Sequence, residues 1–217
     1  MPADFDLATV DRLLSTTRAV RRRLDLSRPV EPQVLRDCLE LSQQAPTGSN
    51  QQTWRWLVVT DAERRRRLGA IYGRGLAAIR ARAAQVPESD AQTRRVYESA
   101  EWLAEHLAAV PVHVLACVEG RPPEKFVPIS CSTVYGSIFP AVWSFQLALR
   151  SRGLGSVLTT LHLLYEEEVR ELLAIPRDVL QVALLPVAYT VGTDFNPAPR
   201  PPVERIVFWE QWGRAKK

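Results

Sequence analysis

Residues 45–54 have the sequence APTGSNQQTW, which ends one predicted helix and leads into a predicted strand. The preceding segment, Glu31–Gln44, carries apolar residues at helical spacing, and Pro32 suits its first turn. Pro46 and Gly48 end that helix, because the residue before a proline avoids helical angles and glycine favours a turn. Side-chain amides and hydroxyls crowd the rest of the loop. Amides donate and accept hydrogen bonds, which suits an aromatic heterocycle with N–H and C=O groups; the alternative is a polar helix cap and turn.

Outward from this loop, long helices alternate with few strands. The run PVHVLACV at residues 111–118 is apolar throughout, which indicates a buried central strand. We expect helices over Asp6–Leu14, Glu31–Gln44, a stretch from Asp61 that ends at Pro87, Asp90–Ala109, Ser132–Leu149 and Tyr165–Ala174. We expect strands over Trp54–Thr60, Pro111–Val118 and Leu180–Val191. Gly153 follows the buried helix in the position of a C-terminal cap. This order predicts an α+β or three-layer fold, in a single domain over residues 1–217.

The composition is that of a folded globular chain with a mild positive charge. It has 217 residues, 46 % of them hydrophobic, and a net charge of +4. These values exclude intrinsically disordered and collagen-like proteins. Its 28 basic residues include three lysines, which leaves 25 arginines. Such an excess indicates an anionic ligand, a nucleic acid or a simple compositional bias. Because acidic residues are interspersed among the arginines, we expect no nucleic-acid partner.

Two arginine clusters have different interpretations. Thr16–Arg23 holds four arginines beside a helix end, where guanidinium and backbone N–H groups can bind phosphate; the alternative is a solvated basic loop. The run Arg64–Arg67 opens a helix and is predicted to be a solvated face.

The apolar tail, Val203–Trp212, is predicted to be buried against a partner subunit or against the core of its own chain.

The titratable residues predict no nucleophile and no metal site. Cys38, Cys117 and Cys131 are widely spaced and odd in number, which favours buried free thiols in a reducing compartment. His113 lies in the apolar strand and is predicted to be a core residue, whereas His162 is a candidate for substrate contact. No signal peptide and no membrane span are evident, so we expect a cytoplasmic protein without a membrane partner.

Four segments in order resemble landmarks of the nitroreductase family of FMN-dependent oxidoreductases. They are Arg18-Ala19-Val20-Arg21, the 45–54 loop, Gly153-Leu154-Gly155 and Arg200-Pro201-Pro202-Val203-Glu204. The resemblance spans residues 18–212. The chain departs from the family pattern at Ala19, where serine is usual, at Thr53, where proline is usual, and at Ala198, where a lysine is common.

The resemblance implies a set of FMN contacts at the matching positions. The phosphate is expected to contact Arg18, Ala19, Val20, Arg22 and Arg200, with the register of the second arginine left open among Arg21, Arg22 and Arg23. The flavin ring is expected to contact Pro46, Thr47, Asn50, Gln52, Leu158, Thr159 and Thr160.

The resemblance also implies an architecture and a reaction. The expected fold has three α-β-α layers around a mainly antiparallel sheet, in a homodimer whose C-terminal segments swap between subunits. NADPH or NADH is expected to deliver a hydride to flavin N5, and a nitroaromatic, quinone or similar small acceptor then takes it in a ping-pong reaction. The alternatives are reductive dehalogenation or flavin destruction on the same fold, a non-catalytic FMN-binding protein and, last, a basic nucleic-acid binder.

Overall fold

The computed structural model of the protein describes residues 5–123, 125 and 127–214. The chain forms two compact units, one of residues 18–193 and one that joins the residues up to Thr17 with those from Asp194 onward. Each unit is described below by itself. The prediction of a single domain stays a prediction.

The larger unit contains six helices and a four-stranded sheet among its described residues. The helices are α2 (Pro32–Ser42), α3 (Ala62–Gly73), α4 (Leu76–Ala83), α5 (Ala91–His106), α6 (Pro128–Ser151) and α7 (Glu166–Leu173). The strands are β1 (Trp54–Val59), β2 (Val112–Glu119), β3 (Leu154–Ser156) and β4 (Val179–Tyr189). All three strand pairs are antiparallel, in the order β1-β2-β4-β3.

Both faces of the central strands are covered. On one face, Val114 of β2 and Leu185 of β4 form a core with Phe145 of α6 and Leu35 of α2. The opposite face is buried as well, because every residue from Val112 to Val118 is buried and successive side chains alternate between faces. A sheet between two helical layers follows, which confirms the predicted α+β, three-layer fold.

Local signals explain most of the helix ends. Asp61 and Asp90 accept hydrogen bonds from the backbone N–H groups of Arg64 and Thr93, at 2.9 Å each, and so cap α3 and α5. Gly153, with φ of +77°, follows α6 as predicted.

Three features of the fold differ most from the sequence prediction. Helix α6 begins at Pro128, a residue that suits the first turn of a helix, and not at Ser132. The stretch after Asp61 is two helices that meet at Gly75, where a Cβ atom would lie 2.4 Å from the Cγ atom of Leu161. Strand β3 was not predicted, since it has three residues and Gly155 at its centre.

The smaller unit contains α1 (Leu7–Thr16) and a 3-10 turn at Val203–Arg205. Asp6 caps α1 by accepting from the N–H of Ala8 at 3.2 Å, as the sequence predicts. Residues 196–202 have no regular structure, which confirms the prediction from their prolines. In the tail, Ile206 is 66 % exposed and Trp212 is 92 % exposed.

Candidate functional site

The polar loop at residues 45–54 is held in an unusual backbone conformation. Ser49, Asn50 and Gln52 have φ values of +52°, +54° and +52°, which side-chain-bearing residues adopt at a cost. The Gly48 N–H donates to Ser137 Oγ of α6 at 2.9 Å. Gln52 Nε2 donates to Asn50 Oδ1 at 2.9 Å, with both side chains exposed. The loop therefore presents its amides at the surface from a fixed backbone. Of the two neighbouring candidates, Pro46 is exposed and Thr47 is half-buried.

The basic segment docks on the glycine turn that follows α6. The Val20 N–H donates to the carbonyl of Ser156 at 2.9 Å, and Ala19 forms a bridge with Ser156. Val20 also packs tightly against Gly155, where a Cβ atom would lie 2.9 Å from the Val20 Cβ atom. Two sequence landmarks that lie far apart in the chain thus meet at β3.

The three consecutive arginines of this segment have different hydrogen-bond partners. Arg22 is exposed and donates to the Glu98 carbonyl at 3.4 Å, and Arg23 donates to the Val191 carbonyl at 2.8 Å. Arg21 is partly buried and donates to Ser99 Oγ at 3.2 Å. Burial lowers the pKa of the Arg21 guanidinium, an effect that the nearby Tyr72 opposes. Arg21 is the arginine of the three that faces an enclosed site.

That site is a cavity of about 250 Å³. Its inner wall holds Arg21, the buried Tyr72 and two of the predicted flavin contacts, Thr159 and Thr160. The Tyr72 hydroxyl and Thr159 Oγ1 form a hydrogen bond of 2.6 Å. Burial raises the pKa of the Tyr72 phenol, which keeps it neutral at physiological pH. The other lining residues come from α4, α5 and the turn after Thr160.

The segment Leu158–Thr160 is fixed by strand β4. The Thr159 N–H donates to the Leu184 carbonyl at 3.0 Å, and the Leu184 N–H donates back at 2.8 Å. Leu158 is 36 % exposed, and Thr160 is exposed at the cavity. The Thr159 backbone donor is therefore already used, whereas its side chain and Thr160 face the cavity.

His162 and Arg200 are the remaining candidate site residues. His162 is completely buried and does not line the cavity, and its contact with substrate stays a prediction. Its two ring nitrogens have no hydrogen-bond partner among the described residues, and burial lowers its pKa to about 4. Arg200 belongs to the smaller unit, where it is exposed and donates to the Pro199 carbonyl at 3.1 Å. Its role in phosphate binding stays a prediction.

Sequence reasoning did not single out two polar residues that line the cavity, Arg21 and Tyr72. Arg21 was present in the quoted segment, but three adjacent arginines gave no basis for choosing among them. Tyr72 stands four residues after Leu68, and both are buried on the same side of α3. A tyrosine in an apolar helical stripe needs a partner for its hydroxyl, and this was the available signal.

Other sequence expectations are settled by packing. His113 is fully buried and its Nε2 lies 2.8 Å from the Leu107 carbonyl, which confirms a core histidine. The Arg64–Arg67 run is more than a solvated face, because Arg65 donates to the carbonyls of Ala108 and Val110. All three cysteines are free, and burial raises the pKa of Cys38 to about 11 and of Cys117 to about 12.

The described residues contain neither a candidate metal cluster nor a candidate membrane-spanning helix. No group of three or more His, Cys, Asp or Glu side chains is arranged to hold a metal ion. Within the same residues, no helix has both the length and the apolar character needed to cross a membrane.

Known proteins are similar to this chain in sequence or in fold. A curated relative, an NADH dehydrogenase of Thermus thermophilus, is 29 % identical, and the match covers 93 % of this chain and 98 % of that protein. The FMN-dependent nitroreductase NfnB of Mycobacterium smegmatis, solved with NADPH, has a TM-score of 0.68 at 19 % identity, with 95 % and 100 % of the two chains covered. Iodotyrosine deiodinase, solved with FMN and 3-iodo-L-tyrosine, has a TM-score of 0.66 at 22 % identity, with 93 % and 98 % covered.

The family assignment rests on the sequence itself. The profile of the nitroreductase family matches residues 14–189, which include the basic segment, the polar loop and the glycine turn. That range is well over half of the chain. The chain therefore belongs to the nitroreductase family, and the enzyme class predicted from its sequence, an oxidoreductase, is confirmed.

Proposed function

We propose that the protein is an FMN-dependent oxidoreductase that takes a hydride from NADPH or NADH and passes it to a small acceptor. One observation carries the proposal: Arg21 and the pair Thr159 and Thr160, which are far apart in the sequence, line one cavity. The basic segment and the segment after the glycine turn are the ones that the family resemblance assigns to FMN.

The donor set fits a flavin. The pyrimidine edge of a flavin carries alternating N–H and C=O groups, so it needs both acceptors and donors. Thr159 and Thr160 supply hydroxyls, Asn50 and Gln52 supply exposed amides, and Arg21 supplies a half-buried cation. A fixed backbone in the 48–52 loop keeps those amides in place without further ordering on binding. Pro46, Thr47 and Leu158 complete the proposed ring contacts.

The phosphate of FMN would be held by the basic segment. Arg18 and the exposed Arg22 provide charge there, and Ala19 and Val20 provide the backbone. Since the Val20 N–H is committed to Ser156, Val20 acts by positioning the segment. Arg200 is proposed to add a further cation.

When bound, FMN would supply the redox chemistry, the transfer of a hydride from NAD(P)H to the acceptor. Thr159 and Thr160 would hold the ring on their side of the cavity. Because the Thr159 N–H already donates to the Leu184 carbonyl, a backbone donor to the ring would come from Thr160. Arg21 would hold the ring as a half-buried cation, and its half-burial would strengthen that interaction.

A homodimer is the proposed assembly. Helix α6 exposes an apolar stripe of Tyr135, Phe139 and Trp143, which are 37 %, 37 % and 44 % exposed. Their spacing places them on one face of the helix. The exposed tail adds Trp212 and Ile206. Apolar surface of this extent favours burial against a second copy, and the swap of C-terminal segments is proposed on the same ground.

The physiological acceptor is proposed to be a nitroaromatic, a quinone or a similar small molecule. Reductive dehalogenation is the second candidate, because iodotyrosine deiodinase shares the fold. A nucleic-acid role has less support, since Arg55, Arg66, Arg74 and Arg170 are paired with acidic side chains of the same chain. The free thiols support the proposed cytoplasmic location.

Reconstitution of the purified protein with FMN tests the proposal. After gel filtration, the protein is expected to retain one flavin per subunit with a visible absorption spectrum, and to prefer FMN to FAD. Riboflavin is the matched ligand without the phosphate. Protein that stays colourless after incubation with FMN would overturn the proposed function.

A further inference from the structure

The C-terminal end of α3 is tied to the segment that begins at Thr159. The hydroxyl groups of Tyr72 and Thr159 form a hydrogen bond of 2.6 Å. Just beyond α3, a Cβ atom at Gly75 would lie 2.4 Å from the Leu161 Cγ atom, so only glycine allows Leu161 to pack this closely. Contacts from the end of α3 therefore hold residues 159–161 at two places.

The chemistry of the two hydroxyls and a nearby charge indicate which of them donates. A phenol is a stronger hydrogen-bond donor than an aliphatic alcohol, because it is the stronger acid. Burial raises the pKa of the Tyr72 phenol, and the hydrogen bond with Thr159 and the charge of Arg21 oppose that rise, so the cation acts on the phenol oxygen. A positive charge repels the hydrogen end of an O–H dipole. Both effects favour donation from Tyr72 to Thr159 Oγ1.

The Thr159 hydroxyl then keeps its own proton for another partner. A hydroxyl has one donor and two acceptor positions, and Tyr72 occupies one of the acceptor positions. The backbone N–H and C=O groups of Thr159 are both bonded to Leu184, at 3.0 and 2.8 Å. Among the described residues, Thr159 Oγ1 has no second hydrogen-bond partner. Because Thr159 lines the cavity, its O–H can donate to a ligand there.

We propose that Tyr72 is a positioning residue, which fixes the Thr159 hydroxyl as a donor that faces the cavity, where the flavin ring would accept its proton in a hydrogen bond. The inference rests on the proposed function, because the flavin is the ligand assigned to this cavity. A hydroxyl held in this way pairs with a carbonyl oxygen or an unprotonated ring nitrogen, and not with an N–H group. Since Tyr72 already restricts its rotation, little further order is lost when the ligand binds.

Raman spectroscopy of the apoprotein tests the direction of the hydrogen bond without the flavin. The intensity ratio of the tyrosine ring doublet differs between a phenol that donates and a phenol that accepts. The spectrum of the wild type minus that of Tyr72→Phe isolates this residue among the five tyrosines of the chain, and it is expected to show a donor. Thr159→Val removes the acceptor instead and should abolish the same donor signature, which provides the reading if Tyr72→Phe does not fold. An acceptor signature for Tyr72 would overturn the inference.

Fluorescence titration with FMN tests the effect on binding. Tyr72→Phe should weaken FMN binding by about fivefold, the value of one neutral hydrogen bond, because the Thr159 hydroxyl is then free to turn away. In a Thr159→Val background, the same Tyr72→Phe substitution should have no further effect, since the group that it positions is gone. Tyr189→Phe is the matched control: it removes a hydroxyl hydrogen bond of the same length, 2.6 Å to Glu31 Oε2, and should bind FMN as the wild type does.

The outcomes separate this inference from the proposed function. Equal FMN affinity in the wild type and Tyr72→Phe would overturn the inference, and so would an equal loss from Tyr72→Phe with and without Thr159→Val. A protein in which Tyr72 donates but which never binds FMN would refute the proposed function alone, because the Raman spectrum reports the direction of the hydrogen bond without the flavin.

Discussion

Replacing Arg21 and Arg22 in turn gives the sharpest residue-level test of the flavin site. The two residues are adjacent and carry the same charge, but Arg21 lines the cavity and Arg22 is exposed. A charge-assisted hydrogen bond at a half-buried position contributes ~1.5–3 kcal/mol. At ~1.4 kcal/mol per decade, Arg21→Ala should weaken FMN binding by ~10- to 150-fold. An exposed contact contributes ~0–1 kcal/mol, so Arg22→Ala should cost at most ~5-fold.

Fluorescence titration of FMN with each variant measures these changes. Arg21→Ala also removes the hydrogen bond to Ser99, which is 3.2 Å long. One such bond contributes ~1 kcal/mol, or ~2 °C in Tm for a chain of this length, so thermal melts of the apoproteins separate stability from binding. Arg21→Lys should recover part of the affinity, because it restores charge without the planar fork. Equal losses in Arg21→Ala and Arg22→Ala would refute the assignment of Arg21 to the site.

Three further predictions concern the phosphate, the dimer and pH. Arg18→Ala should weaken FMN binding by ~10- to 150-fold and leave riboflavin unchanged in a fluorescence titration, and an equal loss of both ligands would count against phosphate contact. Trp143→Lys should shift the protein to monomer in sedimentation velocity, whereas Val96→Lys, at another exposed apolar position, should not. If Trp143→Lys remains a dimer, the apolar face of α6 is not the dimer interface. His162 has a pKa of about 4 when folded, so the unfolded chain binds more protons and stability falls as pH drops from ~6.5 towards 4. Urea unfolding at pH 7 and pH 5 should show a loss ~2 kcal/mol smaller in His162→Leu than in the wild type, because the variant has no imidazole to protonate at that position.

The sequence was sufficient where a local signal determined the structure. Pro46 and Gly48 ended a helix, Asp61 began one, and the apolar run at residues 111–118 became the central strand β2. These outcomes depend on backbone preferences and on burial, which a single segment carries. The four family landmarks could be recognised in the sequence for the same reason, since each is a short run of consecutive residues.

The sequence was insufficient where distant segments had to meet. Arg21 lines the cavity and Arg22 does not. This difference depends on how the basic segment docks on β3, where Val20 packs against Gly155. Tyr72 forms its 2.6 Å hydrogen bond with Thr159, a residue 87 positions further along the chain. His162 stands between leucines in the sequence, and the sequence did not reveal that it is fully buried and does not line the cavity.

Anaerobic reduction in two steps tests the central claim most directly. The FMN-loaded protein is mixed with NADPH or NADH in the absence of oxygen, freed of nucleotide by gel filtration and then mixed with 4-nitrobenzoate. The visible flavin absorbance is expected to bleach in the first step and to return in the second, as the acceptor takes the reducing equivalents without any nucleotide present. A bound flavin that neither nucleotide bleaches would refute the proposed function.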